Sequence, residues 1–498
     1  MDAPHARTDD PDPAEPQKSL SSKAAKGFLW ALIGFAGIQV GSYATYAIAS
    51  GILGPAQIGL VGALLTIVFW VDVFLDTGLA ASVIYEQEQG QTHRTRVAFT
   101  LTGIMAVVMV AVVLLGAPLI ASFFEAQGEV GLFRMVALVI AAKGLNQVPS
   151  AMLRRDLDFR KGTFVMLTQS VLRFVVAVSL LHAGHGVAGM LIGIVTAEIA
   201  TTMLTWVLVG FRPHLAFDRA VAAELYRYAL PVFGSTLIGM LWINGDYLIV
   251  GSHFGAKSSQ FGNYYTAFRL PELILGSLYN IFSKVAFPTY SAARAAGPDK
   301  LQEVSLRSLR LLCLVGFSAS VGMSLVARDF IGWQFPGFSG AVTTMTVLCV
   351  AGGFVGVGFA SGDLYNAIGR QRMGLAFNLV GTPILLVGFL IAVPHGIVAV
   401  AAVHVAVMVP YAFIRIEVAN RLIGTTWSQS LRGLLPSLAA VAGLLAFALP
   451  VRLMLDGGVL RLLLIVAAGG FGAVAGVAVG ARSTVHEIRG MALKALGR

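Results

Sequence analysis

Charge is what this sequence has least of. Asp, Glu, Lys and Arg make up 12% of its 498 residues, against about 25% in a typical soluble domain. That is too little charge to cover a water-facing surface of this size, so a soluble globular enzyme or scaffold is excluded. Cysteine is almost missing as well. Cys313 and Cys349 are the two present, and both fall inside apolar runs, which excludes a disulfide framework or a thiolate metal site and leaves two packing residues. Long polar segments between the apolar runs are also lacking, and with them room for a soluble catalytic domain. The signatures of common enzyme sites are missing too. Gly255-Ala256-Lys257-Ser258 lacks the spacing of a phosphate-binding loop, His486-Glu487 has no second histidine one turn on, and Gly356-x-Gly358 lies within an apolar run with no preceding strand. No enzyme activity, cofactor or metal is expected.

What the chain has instead is apolar length. Hydrophobic residues reach 57% and mean hydropathy is +0.79. A helix needs about 20 apolar residues to cross a roughly 30 Å hydrocarbon core. Fourteen runs of that kind lie at about 28–50, 57–84, 97–124, 132–152, 162–182, 187–211, 229–251, 264–290, 308–327, 339–362, 374–394, 396–414, 433–451 and 462–481. The expected fold is an all-α integral membrane protein with about 14 transmembrane helices. Residues 1–26, rich in Pro, Asp, Ser and Lys, are too polar for a signal peptide and are expected to be a disordered cytoplasmic tail.

The net charge of +10 is spread over short loops, not gathered into an aromatic-interleaved patch, which argues against nucleic acid as a partner. Topology explains it better. Beginning inside, alternate loops hold 26 basic residues, while the opposite loops hold only Lys257, Arg328, Arg452 and Arg461. An error of one helix would scramble that division, so the positive-inside rule places both termini in the cytoplasm. A weak repeat also divides the chain. Leu53-Gly54-Pro55 through Gly59-Leu60 follows the first run, and Phe254-Gly255 through Gly262-Asn263-Tyr264 follows the seventh. The expected organisation is a first six-helix lobe over 27–220, a second over 221–425, a C-terminal helix pair over 426–482 and a cytoplasmic tail over 483–498. Such repeats accompany transporters with a substrate site between their halves.

Five segments carry a resemblance. Ile52 to Leu60, Met152-Leu153-Arg154-Arg155-Asp156-Leu157-Asp158-Phe159-Arg160, Phe261 to Leu270, Phe287-Pro288-Thr289-Tyr290-Ser291 and Ala367-Ile368-Gly369-Arg370 together resemble the polysaccharide transporter family. These are the Wzx-type oligosaccharide flippases of the multidrug/oligosaccharidyl-lipid/polysaccharide exporter superfamily. The match in order and spacing runs over residues 25 to 425. The resemblance implies a V-shaped alternating-access transporter in the bacterial inner membrane that exports an undecaprenyl-diphosphate-linked oligosaccharide for polysaccharide biosynthesis. It also implies membrane lipids as partners, with glycan polymerase and export machinery as further candidates. An ion-coupled multidrug antiporter and a lipid II flippase are the alternatives in the same superfamily. A glycan polymerase or ligase would need a sizeable outer loop, which is not present.

Ionisable side chains inside a membrane helix are costly, so each one is a candidate for function. Lys143 and Arg173 lie near the middle of the fourth and fifth runs, with Glu198 in the sixth and Asp72 and Asp76 one turn apart in the second. Arg173 and Lys143 are the first candidates for the diphosphate or acidic sugars, followed by Arg269 and Lys284 in the eighth run. Asp76, Glu198 and Asp246 are candidates for ion coupling. Against all of these stands structural pairing within the bundle: Arg269 and Glu272 have the spacing of an intrahelical pair, and Lys284 has the length to snorkel. His404 is read as a packed, hydrogen-bonded core histidine. The glycine series Gly352-x-x-x-Gly356, Gly358-x-x-x-Gly362 and Gly472-x-x-x-Gly476-x-x-x-Gly480 is read as close helix packing.

Overall fold

A computed structural model describes residues 17–75, 91–156 and 158–482, with residues 484 and 490. All regular structure among them is helical. In chain order the helices are α1 (Gln17–Leu75), α2 (Gln91–Phe123), α3 (Val130–Arg155), α4 (Phe159–His182), α5 (Gly186–Val209), α6 (Arg219–Phe254), α7 (Ser259–Pro271), α8 (Ser277–Ala296), α9 (Pro298–Gln334), α10 (Ala341–Ala367), α11 (Gln371–Ala392), α12 (Ile397–Ile423), α13 (Trp427–Met454) and α14 (Val459–Gly480). Eleven helical segments among the described residues are long and apolar enough to cross a membrane, and the longest, Trp30–Leu75, counts once. This chain is a multi-pass membrane protein.

Local chemistry sets the breaks. Within α1, Gly54 leaves the helical region at φ 71°, and Pro55 follows it. Glycine reaches positive φ without a Cβ penalty, and the proline ring cannot continue the preceding ladder, so the chain doubles back here. Pro271 likewise has no N–H for the turn before it, and the ladder resumes as a π turn over Glu272–Gly276 between α7 and α8. Asp218 opens α6 by accepting the Ala220 and Val221 N–H groups. These two bonds hold its carboxyl below the usual range. Thr426 and Gln429 open α13 with a capping box.

The two repeat turns meet one another. Gly262 lies so close to Pro55 that an added Cβ would strike the Pro55 carbonyl, and a Cβ on Gly59 would come within 2.5 Å of the Ala256 carbonyl oxygen. Ala256 N–H donates to the Phe124 carbonyl at 2.6 Å, and Lys257 pairs with Glu129. This is the closed end of the molecule. From it α1 runs antiparallel to α7 and α8. Tyr46 and Thr266 hydroxyls are bonded at 2.6 Å, then Gln39 donates to Ser277, and then Lys284 stands over the Phe35 ring at 5.2 Å.

The glycine series packs as expected. Gly472 and Gly476 of α14 lie against Gly443 and Ala439 of α13, and Gly352 and Gly356 of α10 receive Leu275 and Tyr279. Cys313 and Cys349 are free and buried. The C-terminal helix pair is fixed to α9 by an ion pair in which Arg461 Nη2 meets Asp329 Oδ1 at 2.5 Å. Arg461 also donates to the Leu455 carbonyl at 2.9 Å, so the strongly buried carboxylate has a fully engaged partner.

Candidate functional site

Three ion pairs place charge among α1, α3, α4, α5 and α7. Lys143 of α3 reaches Asp72 of α1 at 2.6 Å. Arg173 of α4 faces Glu198 of α5 at 3.5 Å, while Gln169 donates to the same Glu198 oxygen at 2.8 Å. Arg269 of α7 pairs with Glu272 at 2.8 Å. Arg173 lies within electrostatic reach of Arg269, Asp72 and Tyr265, so these residues form one cluster.

The members differ in how well they are satisfied. Their side chains are about a quarter to a third exposed, from 25% for Lys143 to 35% for Asp72, although the positions lie deep within the helices. Glu198 is the buried exception. Arg173 is the loosest member. Its bond to Glu198 is long, and its Nε is buried with no hydrogen-bond partner. A guanidinium has five donors in a planar fork, so Arg173 retains donors for an incoming anion.

The structure therefore joins Arg173, Lys143 and Arg269 in one cluster with Glu198. It sets Lys284 apart, on the Phe35 ring nearer the other end of the interface. Asp76 lies outside the described residues. Asp246 belongs to a separate group inside the second lobe: its Oδ2 accepts from the Tyr264 hydroxyl at 2.6 Å and meets His404 Nε2 at 3.4 Å, with all three residues buried. His404 is packed between Phe268 and Phe389, as a core histidine should be, yet it also touches the candidate carboxylate.

A cavity of about 220 Å³ adjoins this group and is lined by His404, Met408, Trp242, Phe359, Asn280 and Glu272. It connects the interior of the second lobe to Glu272. A larger cavity, about 800 Å³, lies between α9, α13 and α14, with walls such as Met323, Gly322, Leu444, Gly469 and Val474 that offer almost no polar surface. Among the described residues no group of three His, Cys, Asp or Glu side chains has the arrangement to hold a metal.

Sequence reasoning missed two groups. Asp363 of α10 is buried, accepts from Ser283 at 2.6 Å through Oδ1, and has no partner for Oδ2. It lies one residue beyond the expected end of the tenth run. Arg415, counted among the loop residues, instead lies within α12, eight residues before Ile423. The signal that would have found both is continuation of a helix past its apolar run.

The comparisons agree with this architecture. The family profile described as "Polysaccharide biosynthesis protein" matches residues 49–335. The lipopolysaccharide biosynthesis protein WzxC of Escherichia coli K12 is 24% identical over 380 residues, 74% of this chain and 76% of that protein. The teichuronic acid biosynthesis protein TuaB of Bacillus subtilis is 25% identical over 364 residues, 71% of this chain and 72% of that one. Among solved structures, the inward closed conformation of the lipid II flippase MurJ superposes with a TM-score of 0.74 at 14% identity, covering 92% of this chain and 99% of that one. At that identity the likeness is one of fold. With more than half of its length inside the matching profile, the chain belongs to the polysaccharide biosynthesis protein family.

Proposed function

We propose that this protein is a flippase that carries a lipid-linked, undecaprenyl-diphosphate-bound oligosaccharide across the bacterial inner membrane by alternating access, for polysaccharide biosynthesis. The observation that carries the reading is Arg173, loosely held by its acid and facing Arg269 of the other lobe. Two guanidiniums brought together from opposite lobes suit a bidentate, multiply charged diphosphate. Lys143 and Lys284 extend the basic path. The apolar cavity along α9, α13 and α14 offers a lipid-like surface against which a prenyl chain packs.

Fourteen crossings fit the helices. The kink at Gly54 divides Trp30–Leu75 into two spans, and α3 and the α7–α8 unit have the length to cross but carry more polar residues or a π turn. The loop charge then places both tails in the cytoplasm, and the closed end faces outward. Asp246, hydrogen-bonded to Tyr264 and beside His404, is the preferred site for ion coupling, ahead of Glu198 and Asp76. The relatives' names support the glycan reading, and glycan polymerase or export machinery would receive the product.

An ion-coupled antiporter for cationic drugs is the second reading, and the cluster argues against it. Among the described residues Lys143, Arg173 and Arg269 are matched by Asp72, Glu198 and Glu272, so they offer a cation no net negative charge. A lipid II flippase shares the chemistry of the first reading and differs in the sugar. Reconstitution into proteoliposomes with fluorescent lipid-linked oligosaccharide tests the proposal: protein-dependent exposure of the glycan at the opposite leaflet is expected. No translocation, together with drug-driven proton exchange, would install the antiporter reading instead.

A further inference from the structure

The face of α12 that presents His404 and Met408 to the second-lobe cavity continues, at steps of three and four residues, to Tyr411 and Arg415. On α10 the wall formed by Ala351, Val355 and Phe359 continues in the same way to Gly358 and Gly362. Arg415 therefore lies on the same face of α12 about two turns beyond the cavity lining, roughly 12 Å inside the end of its helix by the rise per residue.

Its surroundings are built to hold a guanidinium and lack an acid. A Cβ on Gly358 would lie 3.3 Å from Arg415 Nη1, and one on Gly362 would lie 3.7 Å from Nη2, so the group rests along the bare glycine face. The guanidinium carbon stands 5.1 Å from the Phe377 ring centroid. Tyr365 and Tyr411 are its electrostatic neighbours. Both of their hydroxyl protons are given to backbone carbonyls, those of Arg415 and Phe377. Nε is buried without a partner.

Lys143, Arg173, Arg269 and Arg461 each meet a carboxylate, whereas among the described residues none pairs with Arg415. A permanent cation at this depth needs more than packing. A single cation–π contact offsets only part of the cost of placing an arginine within a membrane helix. A packing role would also be met by methionine at no such cost. Arg415, Gly358 and Gly362 are all only half-buried, which leaves room for an anion to approach.

We propose that Arg415, the Gly358 and Gly362 face and the Phe377 ring form a binding site for a phosphate or diphosphate headgroup beyond the lining of the second-lobe cavity on α12. The site is separate from the Arg173 cluster, and its existence does not depend on what that cluster binds. The anion completes the charge balance of Arg415 with bidentate bonds.

The test uses the full-length protein in detergent, in an Arg173→Gln background that removes that cluster's contribution. Inorganic pyrophosphate and short-chain phosphatidic acid are titrated separately by calorimetry. Saturable binding is expected for at least one probe. Phosphatidic acid alone would assign a lipid headgroup, and binding of both would extend the site to free phosphate. Adding Arg415→Gln should weaken binding at least tenfold, and Arg415→Lys should be intermediate, because an ammonium keeps the charge and loses the planar fork. If Arg415→Gln fails to fold, Gly358→Leu keeps the guanidinium but fills the cradle, and it should weaken binding in the same direction. Absence of binding in the parent, or lower thermal stability with unchanged dissociation constants in the Arg415 and Gly358 variants, overturns the proposal.

Discussion

The Arg173 cluster and the Asp246–Tyr264–His404 group treat charge in opposite ways. In the first, Lys143–Asp72 and Arg269–Glu272 are close pairs whose side chains remain partly exposed, and Arg173 is held to its acid only at 3.5 Å. In the second, Asp246, Tyr264 and His404 are buried and bonded to one another. Partly accessible side chains can be reached by an incoming charged group without unpacking the whole pair. A buried acid held by a hydroxyl, an imidazole and the Tyr247 N–H cannot shed these partners without paying the full desolvation penalty. The first arrangement leaves its side chains within reach of a ligand, and the second fixes its acid in place.

That contrast sets the order of expected effects. Replacing Asp246 with Leu should cost most in stability, since it leaves the Tyr264 hydroxyl and His404 without their acceptor, at about 1–3 kcal/mol for each buried group orphaned. Thermal unfolding in detergent measures this, and Asp246→Asn, which keeps an acceptor, should recover part of it. Next comes Gly262→Leu at the closed end. Its side chain would meet the Pro55 carbonyl, and overpacking of this kind costs about 1–3 kcal/mol. Cysteine labelling of the turns around residues 55 and 258 should then show a closed end that opens to water.

Arg173→Gln inverts the pattern. Glu198 stays buried but keeps the Gln169 amide as a donor, so losing Arg173 should cost about 1 kcal/mol, less than the loss at Asp246. Losing charge-assisted bonds to the substrate should reduce transport by roughly 10–100-fold, the equivalent of about 1.5–3 kcal/mol. The smallest effect is expected for Lys284→Gln, since Lys284 is exposed and held by a single ring contact. A large stability loss at Arg173, or none at Asp246, would break the comparison.

Much of this architecture was legible in the sequence because lipid is an undemanding solvent to read: every crossing must be a long apolar helix. Gly54-Pro55 and the second repeat turn were visible for the same reason, as the few interruptions in that pattern, and the structure packs them against each other. Pairing was another matter. Lys143 and Asp72 are 71 positions apart, and no local spacing joins them, nor does any join Asp246 to His404, 140 positions beyond Tyr264's neighbourhood. Arg415 was hidden by the rule that worked best elsewhere. Basic residues at the end of an apolar run read as loop charge, whereas α12 continues to Ile423 and carries Arg415 inside the bundle.

In the proposed function Arg173 takes the anionic part of a lipid-linked glycan. Proteoliposomes holding either the parent protein or Arg173→Gln, loaded with fluorescent undecaprenyl-diphosphate oligosaccharide, test it most directly through the rate at which the glycan becomes accessible on the far leaflet. The account predicts translocation by the parent and a rate at least tenfold lower for the variant at equal expression and thermal stability. Equal rates for the two proteins would contradict it.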